Sequence, residues 1–134
     1  AITSPIIGAS KPEQLKARTK RFALEIIALV GELPRTLVAD IIARQLVRCA
    51  TSVGANYRAA CRGRSRAEFA AKISIVLEEA DETLYWLEIL HDSGVSTEKP
   101  VLEMMKEAGE LIAIFAASHK TARTLRVSQA PRDA

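Results

Sequence analysis

Apolar residues recur at intervals of three, four and seven along most of the chain, and this spacing predicts amphipathic helices. The first apolar stripe consists of Leu15, Phe22, Ile26, Leu29 and Leu33. Ser10, followed by Pro12 and Glu13, is typical of a capping box at a helix N-terminus. Pro34 disfavours helical backbone at the residue before it. A first helix is therefore predicted from about Ser10 to Leu33.

A second helix is predicted from Thr36 to the turn after Cys61. Its buried face would hold Ile42, Leu46, Cys49, Val53, Asn56 and Ala60. Gly54, in the middle, costs about 1 kcal/mol of helix propensity relative to alanine. We therefore expect a neighbouring helix to approach closely at this glycine.

Two further helices follow. Ser65 and Glu68 form a second capping box, and Gly94 is a C-terminal stop after Ser93. The core stripe of this third helix is Phe69, Ile73, Val76, Leu77, Ala80, Leu84 and Leu87. A fourth helix begins at Ser96 or Thr97, with a stripe of Leu102, Met105, Gly109, Ile112, Ala116 and His119.

Four amphipathic helices with short connections predict an all-α fold, an antiparallel up-and-down four-helix bundle over residues 10–125. Residues 1–9 are predicted to form an extended N-terminal arm, and residues 126–134 a flexible C-terminal tail. Apolar residues make up 49% of the chain and aromatic residues 4%, so the core should be mainly aliphatic. No apolar run approaches the ~20 residues of a membrane span. Cys49 and Cys61 lie ~18 Å apart on one helix, which favours free thiols and a cytoplasmic location.

Three apolar residues of the third helix lie away from its core stripe: Ile75, Trp86 and Ile89. The fourth helix is also apolar on most of its circumference between Leu111 and Ala117. A monomeric bundle should expose little of this surface, so a subunit contact is one interpretation. The other is that Trp86 folds along the rim of its own core.

Candidate chemistry is sparse. Glu88 and His91 match the Glu-x-x-His motif of di-iron bundles, but that site needs two such motifs and two further glutamates. His119 has no glutamate at the required spacing. The carboxylates from Glu78 to Glu82 fan out around their helix and cannot converge on one cation. We therefore expect no catalytic residues, no metal site, no cofactor and no enzyme activity.

Charge is unevenly distributed, although the net charge is only +3. Six arginines and no acidic residue occur between residues 41 and 67: Arg44, Arg48, Arg58, Arg62, Arg64 and Arg66. The first four share one helical face with Thr51 and Ala55, opposite the core face. This arginine stripe spans ~27 Å. Arg64 and Arg66 extend it around the following turn.

The arginine stripe has two interpretations. A row of guanidinium groups of this length can follow a phosphate backbone, with an affinity that depends on salt and little on sequence. Tyr57 is the one aromatic residue among the arginines, so too few aromatic side chains are present to stack on the bases of a single strand. Alternatively, the arginines pair with the third helix, where six acidic residues and no lysine or arginine occur between residues 78 and 92.

The second and third helices resemble a known family. The matching runs are Gln45-x-x-Arg48-x-x-x-Ser52-Val53-x-Ala55-Asn56, Arg64-Ser65-x-Ala67-Glu68-Phe69 and Glu78-Glu79-Ala80-Asp81-Glu82. They are similar to the four-helix-bundle proteins encoded in intervening sequences of bacterial 23S rRNA genes. The resemblance covers roughly residues 13–125, and its specific part lies between residues 45 and 90.

The resemblance implies a cytoplasmic bacterial protein that assembles as a ring of five bundles. A related branch of this family serves diversity-generating retroelements, where a basic pentamer engages nucleic acid and a reverse transcriptase. This chain departs from the common pattern after Asn56: many members continue with Ile-Ala-Glu-Gly, whereas Tyr57-Arg58-Ala59-Ala60 stands here. The acid of the common pattern is lost and an arginine is gained near the turn, which favours an anionic partner.

The leading hypothesis is a non-enzymatic homo-oligomer, a pentamer by family analogy, whose six arginines contact RNA or DNA backbone. Ile75, Trp86 and Ile89 are the candidate oligomer interface. The alternative is a protein-interaction scaffold whose arginines serve only ion pairs between helices or subunits, with a reverse transcriptase or another protein as partner. A third hypothesis, a metal-dependent bundle enzyme, predicts bound iron or zinc.

Overall fold

The computed structural model describes residues 10–128, which form an antiparallel up-and-down four-helix bundle. The helices are α1 (Lys11–Gly31), α2 (Leu37–Cys61), α3 (Arg66–Asp92) and α4 (Lys99–Ser128). Each helix packs on the next along the chain, and α4 returns to α1. The predicted all-α bundle is confirmed. The predicted arm and residues 129–134 of the predicted tail lie outside the described residues.

Local side-chain contacts set the helix ends at the predicted positions. A hydroxyl group accepts a hydrogen bond from the backbone N–H three residues later at the start of α1, α2 and α3; the capping residues are Ser10, Thr36 and Ser65. These bonds satisfy N–H groups that lack a partner within the helix. At the end of α3, Gly94 has a φ of 79°, a left-handed conformation that favours glycine.

The core is mainly aliphatic, as its composition predicts, and the largest of its fully buried side chains are Phe22 and Phe115. The ring of Phe115 on α4 meets that of Tyr57 on α2 with 5.4 Å between their centroids. Burial raises the pKa of the Tyr57 hydroxyl, and the neighbouring Cys61 adds to that shift. Because its side chain is buried, Tyr57 is a core residue and not a base-stacking platform.

Two details of the predicted core are wrong. On α4 the buried stripe lies one residue before the first five predicted positions, at Val101, Met104, Ala108, Leu111 and Phe115, and it continues at Ala122. Leu102, predicted in the core, is 48% exposed. Because α4 is apolar on most of its circumference, two adjacent stripes were compatible with its sequence. On α2, Asn56 is half-buried and donates to the Ser52 carbonyl at 2.9 Å, while Tyr57 occupies the core position.

The predicted close approach at Gly54 is confirmed. A Cβ atom at this position would lie 3.1 Å from Thr19 Oγ1 on α1. Thr19 is fully buried, and its hydroxyl donates to the Leu15 carbonyl at 2.8 Å, so it has little freedom to move. The absence of a side chain at Gly54 therefore lets α1 pack against α2.

This contact predicts coupling between Gly54 and Thr19. We expect Gly54→Ala to destabilise the wild-type protein, because the new methyl group crowds the Thr19 hydroxyl. In a Thr19→Ala background the same change should stabilise the fold by up to about 1 kcal/mol, the gain in helix propensity. Urea unfolding of the four variants of this cycle measures the coupling. Equal effects of Gly54→Ala in both backgrounds would contradict the proposed contact.

Candidate nucleic-acid interface

The arginine stripe lies on the outward face of α2. Its four arginines, together with Thr51 and Ala55 between them, are all exposed in the single chain. On the opposite face of α2, the buried side chains between Ile42 and Ala60 point into the core. The stripe is thus held on a rigid helix of 25 residues whose packing does not use these guanidinium groups, apart from Arg48.

Arg48 is tied to the acidic face of α3. Its Nη1 lies 3.5 Å from Glu79 Oε2, and its Nη2 donates to Glu82 Oε2. Gln45 on α2 also accepts hydrogen bonds from the same guanidinium group, at 3.3 and 3.1 Å. Glu82 in turn accepts from Trp86 Nε1 at 3.2 Å. For this arginine the structure supports the ion-pair interpretation.

The guanidinium groups of the other five predicted arginines have a different environment. Within residues 10–128 they make no ion pair and no side-chain hydrogen bond, and all are exposed: Arg44, Arg58, Arg62, Arg64 and Arg66. Glu68, the nearest acid in sequence, directs its carboxylate to the Arg64 backbone N–H at 2.7 Å and leaves that guanidinium unpaired. Arg58 lies in the last turn of α2, where a cation also complements the helix dipole.

Glu79 shows why Arg48 is engaged. One oxygen of its carboxylate is buried without a hydrogen-bond partner among the described residues. Burial raises the pKa of this carboxyl, the Arg48 charge lowers it, and Glu82 and Glu78 raise it further. The Arg48 guanidinium therefore offsets part of the cost of placing a carboxylate at the α2–α3 contact.

The three residues of the predicted oligomer interface lie in two environments. Ile75 is exposed, at 37% of its surface. Trp86 and Ile89 are half-buried and pack against the core of their own chain, and the Trp86 and Tyr85 rings form a T-shaped pair with 5.2 Å between their centroids. Within a single chain, Trp86 therefore lies along the rim of the core, while Ile75 is free to meet a second subunit.

Further exposed apolar residues, besides Ile75, were not predicted from the sequence. They lie toward the end of α1 and at the start of α2. These residues are Leu24, Ile27, Leu37, Val38 and Ile41. Leu37 and Ile41 precede Arg44 at steps of four and three, so they lie on the same face of α2 as the arginine stripe. Extending the spacing toward the helix N-terminus would have found them.

The Glu-x-x-His motif sits at the end of α3, where His91 Nδ1 lies 3.0 Å from Asp92 Oδ1. No group of three histidine, cysteine or carboxylate side chains that could hold a metal ion occurs in residues 10–128. None of the four helices, over that same range, is long and apolar enough to cross a membrane.

We expect Arg48→Gln to reduce stability by about 1 kcal/mol or less, because the pair is half-exposed. Because the Glu79 pKa is raised in the folded state, the folded protein binds a proton at this carboxyl more strongly than the unfolded chain does. Stability therefore falls as pH rises above the ordinary glutamate value of about 4.3. Removing Arg48 should make this loss larger, since its charge lowers that pKa.

Urea midpoints between about pH 4 and pH 8 test this sign. Arg44→Gln is the matched control, because it removes an unpaired arginine from the same face. Arg48→Gln with Glu79→Gln should restore the shallower pH dependence. A pH profile of Arg48→Gln identical to that of Arg44→Gln would show that the ion pair does not act as described.

Comparisons with known proteins agree with this structure. Residues 13–117 match the family model of the 23S rRNA-intervening sequence protein. A solved structure of a protein of unknown function from the S23 ribosomal protein family of Bacteroides thetaiotaomicron is 32% identical to this chain. The match covers 83% of this chain and 99% of that one, with a TM-score of 0.75. No curated protein matches the chain. The predicted resemblance is confirmed, and this chain belongs to the 23S rRNA-intervening sequence protein family.

Proposed function

We propose that this protein is a non-enzymatic, cytoplasmic homo-oligomer, a pentamer by family analogy, that binds the phosphate backbone of RNA or DNA. One observation carries the proposal: five exposed guanidinium groups without an acidic partner in the described chain follow α2 and its turn. Arg44, Arg58 and Arg62 are the main backbone contacts, and Arg64 and Arg66 flank them. Arg48 is held by Glu79 and Glu82 of α3 and is assigned no backbone contact.

Physical considerations support backbone contact over base reading. From Arg44 to Arg62 the arginine stripe spans ~27 Å, which approaches one turn of a duplex, and its arginines are separated by small residues, not aromatic ones. Guanidinium groups bind phosphate oxygens bidentately and keep their charge at every physiological pH. Such contacts confer affinity through counterion release and carry little sequence information.

A protein-interaction scaffold is the second candidate function. It is supported by the engagement of Arg48 with Glu79 and Glu82, and by the exposed Leu37 and Ile41 in line with the arginines. In that case a protein partner, for example a reverse transcriptase as in the related branch of the family, would cover the apolar and basic parts of α2 together. This candidate predicts that nucleic acid alone binds weakly.

Salt dependence of binding separates the two candidates. We expect the triple variant Arg44→Gln, Arg58→Gln and Arg62→Gln to lower the slope of log K against log salt by about 2.7, or about 0.9 for each phosphate contact with a duplex. Filter binding of a structured RNA at several salt concentrations measures the slope. Arg48 is retained so that the α2–α3 contact stays intact.

The matched control removes the same charge elsewhere, by changing three exposed lysines to glutamine: Lys20, Lys72 and Lys106. It should keep most of the affinity and nearly all of the slope. If both triple variants weaken binding equally, total charge and not the arginine stripe is responsible. If the wild-type protein retains no RNA or DNA at low salt, the nucleic-acid proposal is wrong.

Assembly is tested at Ile75. Ile75→Glu should shift the protein toward monomer, because a subunit contact would bury the new charge. Trp86→Glu should do the same but also weakens the fold, since Trp86 packs on its own core. Light scattering measures the mass, circular dichroism checks the helix content, and Lys106→Glu serves as a charge control on another face. An unchanged mass for Ile75→Glu would exclude this residue from the subunit contact.

A further inference from the structure

An open groove of about 730 Å³ lies between the α2–α3 turn and the C-terminal part of α4. One wall is the turn and the first residues of α3, with Gly63, Arg64, Arg66 and Phe69. The other wall is α4, where Ala117 and Thr121 are exposed. The volume is within the range of sites that hold small molecules.

The groove is positively charged at its rim. Arg64 and Arg66 both line it, and no acidic residue does. Neither guanidinium has an ion pair within the described part of the chain. The turn that carries them is tightly packed, since a Cβ atom at Gly63 would lie 3.1 Å from the Ala60 carbonyl oxygen and 3.4 Å from Phe69 N. This closely packed turn carries the exposed side chains of Arg64 and Arg66, whose guanidinium groups are suited to a phosphate group.

The interior of the groove offers an aromatic ring and small neighbours. Phe69, predicted in the core, is half-buried and lines the groove. Ala117 and Ala122 opposite it have short side chains, which leaves room for a flat group beside the ring. Thr121 supplies an exposed hydroxyl, and Ser118, whose Oγ donates to the Ile114 carbonyl at 3.0 Å, can still accept a hydrogen bond.

We infer that this groove binds one unpaired nucleotide of an RNA or DNA chain, with its phosphate at Arg64 and Arg66 and its base beside Phe69. The inference rests on the proposed function and deepens it. Arg62, the last arginine of the stripe, is followed directly by Gly63 of the groove. In this arrangement a strand that follows the stripe to Arg62 continues to the turn with Arg64 and Arg66, and its unpaired end or loop is the part that enters the groove.

A nucleotide fits this combination of groups better than a phosphate or an apolar ligand alone. The cationic rim selects for an anion, while Phe69 and the small alanines select for a flat apolar surface within reach of it. Stacking of a base on an aromatic side chain contributes about 1–3 kcal/mol, which corresponds to about 5- to 150-fold in affinity. The groove would thus favour duplex ends and loops over uninterrupted duplex.

The test compares a blunt RNA duplex with the same duplex carrying a three-nucleotide single-stranded overhang. We expect the wild-type protein to bind the overhang form about tenfold more tightly. Ala117→Gln, which fills the groove, should abolish this preference and leave the affinity for the blunt duplex unchanged. Ala113→Gln is the matched control, because Ala113 is an exposed alanine one turn earlier on α4 that does not line the groove.

Two further variants test the assigned roles. In the double variant Arg64→Gln, Arg66→Gln the overhang preference should depend less on salt. The slope of its logarithm against log salt should fall by up to about 0.7 for each lost phosphate contact. Phe69→Leu should reduce the preference without changing that slope, and thermal melting checks that the fold is retained. AMP added at millimolar concentration distinguishes the ligand source: competition indicates that the groove accepts a free nucleotide, and a retained preference indicates that it requires one within a chain.

Equal affinity for the blunt and overhang duplexes would overturn the inference and leave the proposed function standing. An overhang preference that survives Ala117→Gln would also overturn it, since the preference would then arise elsewhere. If neither duplex binds at low salt, the proposed function and the inference both fail.

Discussion

The packing of α2 against α3 decides which charges of this protein are neutralised. At this contact Glu79 places a carboxylate oxygen where it finds no hydrogen-bond partner in the described chain, and Arg48 supplies the compensating charge. A partly buried carboxylate without a nearby cation is unfavourable, so this arginine stabilises the fold by a modest amount. The arginines before and after it have no such partner. The same helix therefore carries one structural arginine within a row of unpaired ones.

This division explains how a protein with a net charge of only +3 can present a strongly basic surface. Its acids lie largely on other faces: six of them occur between residues 78 and 92 of α3, and Glu107 and Glu110 of α4 hold Arg18 of α1 at 2.7 and 3.1 Å. Because charges of opposite sign are concentrated on different helices, the outward side of α2 keeps its own field. Such a field attracts polyanions at a distance that depends on ionic strength.

The core and the outward face of α2 have independent roles. The residues that position the helices are mainly aliphatic, and the buried Thr19 accommodates Gly54. No residue of the arginine stripe except Arg48 contributes to that packing. Substitutions at Arg44, Arg58 or Arg62 can therefore be interpreted as changes of the surface alone. A substitution at Arg48 also changes the free energy of unfolding.

Much of the fold could be predicted from the sequence. The capping hydroxyls of Ser10, Thr36 and Ser65 and the left-handed Gly94 depend on neighbours along the chain. The close approach at Gly54 depends on one small residue. The sequence likewise placed the arginines on one face, since helical periodicity alone sets that geometry. Only the tertiary structure could choose between adjacent apolar stripes on α4, place Tyr57 instead of Asn56 in the core, or form a groove beside Phe69, which also packs on the core. Only the tertiary structure could show that Arg48, among six similar arginines, pairs with the carboxylates of α3. Those outcomes depend on which side chains meet across helices, and no spacing within a single helix contains that information.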